Sequence, residues 1–246
     1  QQEPFLKNIG SSGVNYGPYF QVYAPVQNEN IYTNLWTSPF WGYLNVIQTL
    51  ELTENPRRLK PISIYYHFYS GQKLASLNAL KRVYEWALSQ EVSPMFLSEY
   101  SRWVLDFRQT AIMKWEEGFR VKNAGGLRTL RYPKEWGYPD TEKSKGVVGY
   151  REGKEGYNYL FLDGSGDYYL IFSSQKPKFA LLYSNGYVES FERKGKEYSL
   201  RLSSYLPLEV RLETSCKVFI NGKAYNAGVV EFKGGKHANI KAVCTD

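Results

Sequence analysis

With 246 residues, 43% of them hydrophobic and 17% aromatic, the chain can bury one sizeable core or two smaller ones, and a globular protein is expected. The formal net charge is +7, yet the 31 Lys and Arg residues are scattered, and without a basic run no nucleic-acid partner is expected. No window approaches the roughly 18 to 20 uninterrupted apolar residues of a membrane span, so no membrane span is expected either.

Residues 1–4 carry neither the basic nor the apolar region of a signal peptide, and a mature secreted protein would begin in the same way. Residues 19–24 read as a strand, 40–52 as a helix and 62–69 as a second strand, which is a β/α grammar. The clearest helix spans 74–88, where Leu77, Leu80, Tyr84 and Leu88 recur every three or four residues and Lys81, Arg82 and Glu85 take other faces. Residues 92–97 read as a short buried strand. Ser98 and Glu99 then open a last helix that carries Tyr100, Trp103, Val104 and Phe107, and this region closes near Lys114.

From Trp115 onward the hydrophobic period changes to two. Turn signals at 163–167, 184–187, 221–222 and 233–236 separate strand-like runs at 157–162, 168–172, 179–183, 199–202, 218–220 and 229–232. The Asn221-Gly222 pair favours the turns that close tight antiparallel hairpins. The expected fold is therefore α+β in two domains: a partial β/α region over 1–114, then an antiparallel, jelly-roll-like β-sandwich over 115–246. About three strands are too few for the first region, since a closed β/α barrel needs about eight. It is expected to be the terminal part of a larger domain, or to be completed by another segment or a second copy of the chain.

Candidate chemistry begins at His67, one of two histidines, which stands among Tyr65, Tyr66 and Tyr69 at the end of the predicted 62–69 strand. A strand end can hold an imidazole facing a substrate, and imidazole titrates closest to neutrality, so His67 is the leading candidate for acid–base work. Asn28, Glu29, Asn30, Tyr32, Asn34 and Trp36 form a polar-aromatic loop able to meet the hydroxyls and ring face of a sugar; it reads equally as a loop that closes on its own backbone. Of the carboxylates, Glu29 and Glu99 are the candidates, with Glu99 also suited to a helix start. His237 reads as a solvated turn residue in a glycine-flanked hairpin. Cys216 and Cys244 leave a disulfide and two free thiols equally open. No pair of metal-ligating His or Cys residues at close spacing occurs, nor does a phosphate-binding glycine loop or a nucleophile elbow, so no metal or nucleotide site is expected from this chain alone.

Three segments carry a family resemblance: PVQNENIYTNLW at 25–36, PRRLKPISIYYHFYSG at 56–71 and LNALKRVYEWA at 77–87. Together they resemble the carboxyl-terminal part of NodB-like polysaccharide deacetylases, in particular those of Pel exopolysaccharide biosynthesis. The likeness covers roughly residues 15–135 well and the remainder loosely, and its specific part is the run at 65–71. It implies a periplasmic or secreted hydrolase that removes acetyl groups from an N-acetylated amino-sugar polysaccharide, built on an irregular β/α barrel with a β-sandwich behind it. It further implies that His67 is the general acid and that a divalent metal, zinc or cobalt, serves the complete enzyme; the 28–36 loop, Tyr66 and Tyr69 are the candidate substrate contacts. The family's metal-binding aspartate and histidines have no counterparts in this sequence, so the isolated chain is expected to be inactive. A non-catalytic carbohydrate-binding or assembly module is the alternative.

Overall fold

The computed structural model describes residues 13–22, 46–48, 50, 51, 61–64, 66, 68–153 and 156–244. The chain divides into two compact units, Gln1–Val92 and Ser93–Asp246. The division falls earlier than the expected step at 114–115, and the helix before that step belongs with the β-rich unit.

In the first unit, β1 (Gly13–Tyr16) and β2 (Tyr19–Val22) form an antiparallel hairpin. Residues 46–48, 50 and 51 are helical, as the 40–52 pattern predicts. The predicted 62–69 strand is not formed: residues 61–64 run without a ladder, and Phe68–Gly71 winds into a 3-10 turn. The apolar alternation instead seats Ile62 and Ile64 against a cluster of Val46, Leu50, Ala79, Leu80 and Val83. Helix α1 (Leu74–Ser89) matches the predicted extent, but its buried stripe is Ser76, Ala79, Leu80, Val83 and Ala87, while Tyr84 and Leu88 stay exposed. Small side chains at Ser76, Ala79 and Ala87 let neighbours approach this face, and Ser76 Oγ donates to the Lys73 carbonyl at 2.9 Å. Among the described residues the unit holds one two-stranded sheet, and no barrel is formed by them.

The second unit opens with extended residues 93–96, which join no sheet where a buried strand over 92–97 was expected. The Tyr187 hydroxyl donates to the Pro94 carbonyl, and Ser93 Oγ donates to the Ser184 carbonyl, so side chains anchor this segment in place of a ladder. Helix α2 (Leu97–Gln109) follows. Asp106 on its inner face is 4% exposed and accepts the backbone N–H groups of Ala124, Gly126 and Leu127 at 2.5, 2.7 and 2.8 Å. This carboxylate ties the helix to the loop after β4 and explains why the helix belongs to this unit.

Beyond α2 the chain is all β: β3 (Ala111–Trp115), β4 (Gly118–Lys122), β5 (Thr129–Pro133), β6 (Tyr138–Pro139), β7 (Val147–Glu152), β8 (Tyr157–Leu162), β9 (Asp167–Leu170) and β10 (Phe172–Ser173), then β11 (Phe179–Ser184), β12 (Tyr187–Lys194), β13 (Glu197–Ser203), β14 (Glu209–Thr214), β15 (Lys217–Ile220), β16 (Lys223–Tyr225), β17 (Gly228–Lys233) and β18 (His237–Val243). A six-stranded sheet in the order β17-β14-β11-β7-β8-β5 faces a five-stranded sheet β12-β13-β18-β15-β16. Phe179, Leu181, Leu212 and Val230 of the first and Tyr198, Leu200, Val218 and Ile240 of the second share one buried cluster, so the two sheets form a sandwich. A third layer, β3-β4-β9, covers part of the six-stranded sheet's other face: Val121, Tyr168 and Leu170 pack with Tyr132, Val147, Leu160 and Leu162.

Two features depart from the expected all-antiparallel jelly roll. Strands β7 and β11 pair in parallel at Gly149 and Leu181, because β8, β9 and β10 intervene and bring the chain back in the same direction. The extra layer was also not foreseen. The predicted hairpin at 221–222 is present, with Asn221 at φ +50 and Gly222 at φ +83, the left-handed pair that a two-residue turn of this type requires. Cys216 and Cys244 form a disulfide across 28 residues of sequence, which resolves the open choice between bridge and free thiols.

Candidate functional site

His67 and the loop residues Asn28, Glu29, Asn30, Tyr32, Asn34 and Trp36 lie outside the described residues, as does the Tyr69 side chain, whose backbone belongs to the Phe68–Gly71 turn. The residues on either side of position 67 can be placed. On one side, Ile62 and Ile64 are fixed against Leu80 and Val83. Next to them the Tyr66 ring meets Tyr84 of α1 edge to face, with centroids 6.3 Å apart and planes at 83°. Burial, then the charge and hydrogen bond of the neighbouring Tyr66, push the Tyr84 phenol above its ordinary value. On the other side the 3-10 turn presents Phe68 97% exposed and leads into α1. Tyr66 is 38% exposed, so a predicted substrate-contacting tyrosine combines a fixed ring edge with an accessible surface.

The remaining candidates have structural places. Glu99 accepts the Phe96 N–H at 2.7 Å through Oε2 and the Tyr205 hydroxyl at 2.8 Å through Oε1, so its carboxylate closes the start of α2. His237 is the first residue of β18, paired with Ser203, and its exposed ring lies 3.9 Å from Glu189; it is a strand residue and not part of the turn. Among the described residues no three His, Cys, Asp or Glu side chains come together to hold a metal.

Two open clefts lie on the second unit. One, of about 280 Å³, is lined by Tyr150, Lys176, Arg211, Glu213 and Val229 among others. Within it the Tyr150 hydroxyl donates to Glu213 Oε2 at 3.1 Å, and Lys176 Nζ reaches Oε1 at 2.9 Å. Burial first, then Glu213, drives the Tyr150 phenol far above its usual range, so it is a proton donor at any ordinary pH. The other cleft, of about 290 Å³, runs beside Cys244 between Glu142, Lys178, Arg193 and Tyr198.

Sequence reasoning missed three polar arrangements here: Asp106 with its loop, Tyr150 with Glu213, and the bidentate pair of Arg120 with Asp167. Their partners are 18 to 21, 63 and 47 residues apart, and no local pattern announces such pairs. Compared with protein-family models, curated proteins and solved structures, the chain shows no match.

Proposed function

We infer that the chain is the carboxyl-terminal portion of an extracytoplasmic polysaccharide deacetylase acting on an N-acetylated amino-sugar polymer, with His67 as the general acid. The observation that carries this reading is the Tyr65–Gly71 run, whose described neighbours are anchored on the α1 core on one side and in a 3-10 turn on the other. A general acid needs such fixed flanks, because proton transfer depends on the donor lying within hydrogen-bond reach of the leaving group. In this reading His67 protonates the amine as the amide C–N bond breaks, Tyr66 and Tyr69 border the sugar, and the 28–36 loop contributes amide and carboxylate contacts. The divalent metal of the complete enzyme, zinc or cobalt, is held by residues that this sequence does not supply.

The Cys216–Cys244 disulfide is compatible with a periplasmic or secreted protein, where thiols oxidise and bridges persist. No helix among the described residues is long and apolar enough to cross a membrane. The experiment is acetate release from acetylated amino-sugar oligomers, with zinc or cobalt, by the protein that carries this chain together with the metal-binding segment. His67→Ala is expected to lower kcat by at least about 100-fold with little change in KM, the usual yield of a positioned acid. An unchanged kcat would remove His67 from the chemistry.

A second reading, a carbohydrate-binding or assembly module without catalysis, is favoured by one observation: the second unit exposes Trp115 within a frame of charged side chains. It predicts polymer binding that does not depend on His67.

A further inference from the structure

Side chains alternate across a strand, so the register of β3, β4 and β9 assigns each residue to a face. Val121, Tyr168 and Leu170 point inward and are buried. The outward face reads row by row as Ala111, Lys122 and Asp167; then Met113, Arg120 and Tyr169; then Trp115 opposite Gly118. Lys145 extends the middle row through an antiparallel bridge to Tyr169.

Ion pairs and a ring contact join the side chains of this face. Arg120 grips Asp167 through two bonds of 2.9 and 3.1 Å, and Lys145 reaches the same carboxylate at 3.2 Å. The Arg120 guanidinium also stands 5.4 Å from the centre of the Trp115 ring, so one side chain fixes both a carboxylate and an indole. Trp115 nevertheless remains 46% exposed. Glu116 follows it at φ +48, a left-handed conformation that non-glycine residues rarely adopt, and this turn sets Glu116 Oε2 at 3.4 Å from the Tyr169 hydroxyl. The result is an accessible flat ring bordered by donors (Arg120, Lys145, Tyr169) and acceptors (Glu116, Asp167).

The chemistry selects among occupants. A pyranose presents an apolar C–H face that covers an indole, and an edge of hydroxyl and amide groups that needs donors and acceptors together. A stable protein interface would place an uncharged apolar centre here, whereas charged side chains surround Trp115. A polyanion would need a surface of one sign, and Asp167 and Glu116 break it. We propose that the outward face of β3-β4-β9 is a saccharide-binding platform for an N-acetylated amino-sugar polymer, with Trp115 as the stacking surface and Arg120, Lys145, Tyr169 and Glu116 as its polar frame. The proposal deepens the deacetylase reading and rests on it for the identity of the sugar. Because the ion pairs hold the frame before any ligand arrives, binding entails little reordering.

Calorimetric titration of the chain with oligomers of N-acetylglucosamine and of N-acetylgalactosamine tests it. Trp115→Ala should weaken binding by about tenfold or more, Trp115→Phe should retain most of the affinity, and Tyr205→Ala, an exposed ring elsewhere on the same unit, should bind as the parent does. Unchanged circular dichroism in Trp115→Ala separates lost contact from lost fold. Undiminished binding by Trp115→Ala, an equal loss in Tyr205→Ala, or no binding of either oligomer by the parent would overturn the platform. None of these outcomes bears on His67-dependent acetate release, which tests the enzyme reading separately.

Discussion

Buried phenols set the alkaline behaviour of the β-rich unit. Tyr132 is 3% exposed; burial pushes its phenol up to about 12, with Glu152 and Tyr138 adding to the shift and a hydrogen bond with Asn158 opposing it. The folded value lies above the unfolded value of about 10, so the neutral phenol contributes its full stability below about pH 10 and loses it as pH rises through about 12. Spectrophotometric titration should therefore show Tyr132 ionising later than exposed tyrosines, and Tyr132→Phe should narrow the alkaline fall in stability; a phenolate signal complete near pH 10 in the folded protein would contradict this. Residue identity was legible in the sequence where chemistry is local and illegible where it depends on distant partners. Tyr66 could be singled out from its run, yet its contact with Tyr84 became visible only with the turn of α1. Glu99 looked like a helix-start carboxylate and is one, but its second bond, to Tyr205, lies 106 residues away.

Elements were legible wherever period and punctuation agreed. Both long helices and the six strand runs from 157 onward fall within a few residues of their expected places, because alternation, Asn-Gly turns and apolar stripes are short-range signals. Residues 62–69 and 92–97 have the apolar content of strands but lack ladder partners among the described residues; side-chain packing took the place of pairing, a choice that propensity does not encode. The attachment of α2 also rests on one side chain. Asp106→Ala leaves three backbone N–H groups without their acceptor and should cost about 3 kcal/mol in denaturant unfolding; a loss of under about 0.5 kcal/mol would show that water replaces the carboxylate. At the opposite end, the Cys216–Cys244 bridge joins the start of β15 to the end of β18. Replacing both cysteines by serine should lower stability by about 3.5 kcal/mol, as loop closure over 28 residues implies, and an unchanged unfolding midpoint would assign the bridge no stabilising part.

At the scale of the whole molecule, the chain joins a smaller unit, which carries the histidine segment, to a three-layer β unit with an outward aromatic and charged face. The sandwich was foreseeable because each strand carries its own alternation. The parallel pair and the third layer were not, since sheet order is set by contacts between segments far apart in sequence. In the proposed function, proton donation falls to the first unit and polymer holding to the second. The most direct test is the rate of acetate release from acetylated amino-sugar oligomers by the metal-loaded protein carrying this chain, compared with its His67→Ala variant. The account predicts turnover in the parent and a fall of about 100-fold or more in the variant. Equal rates in the two proteins, or no acetate released by the parent, would contradict it.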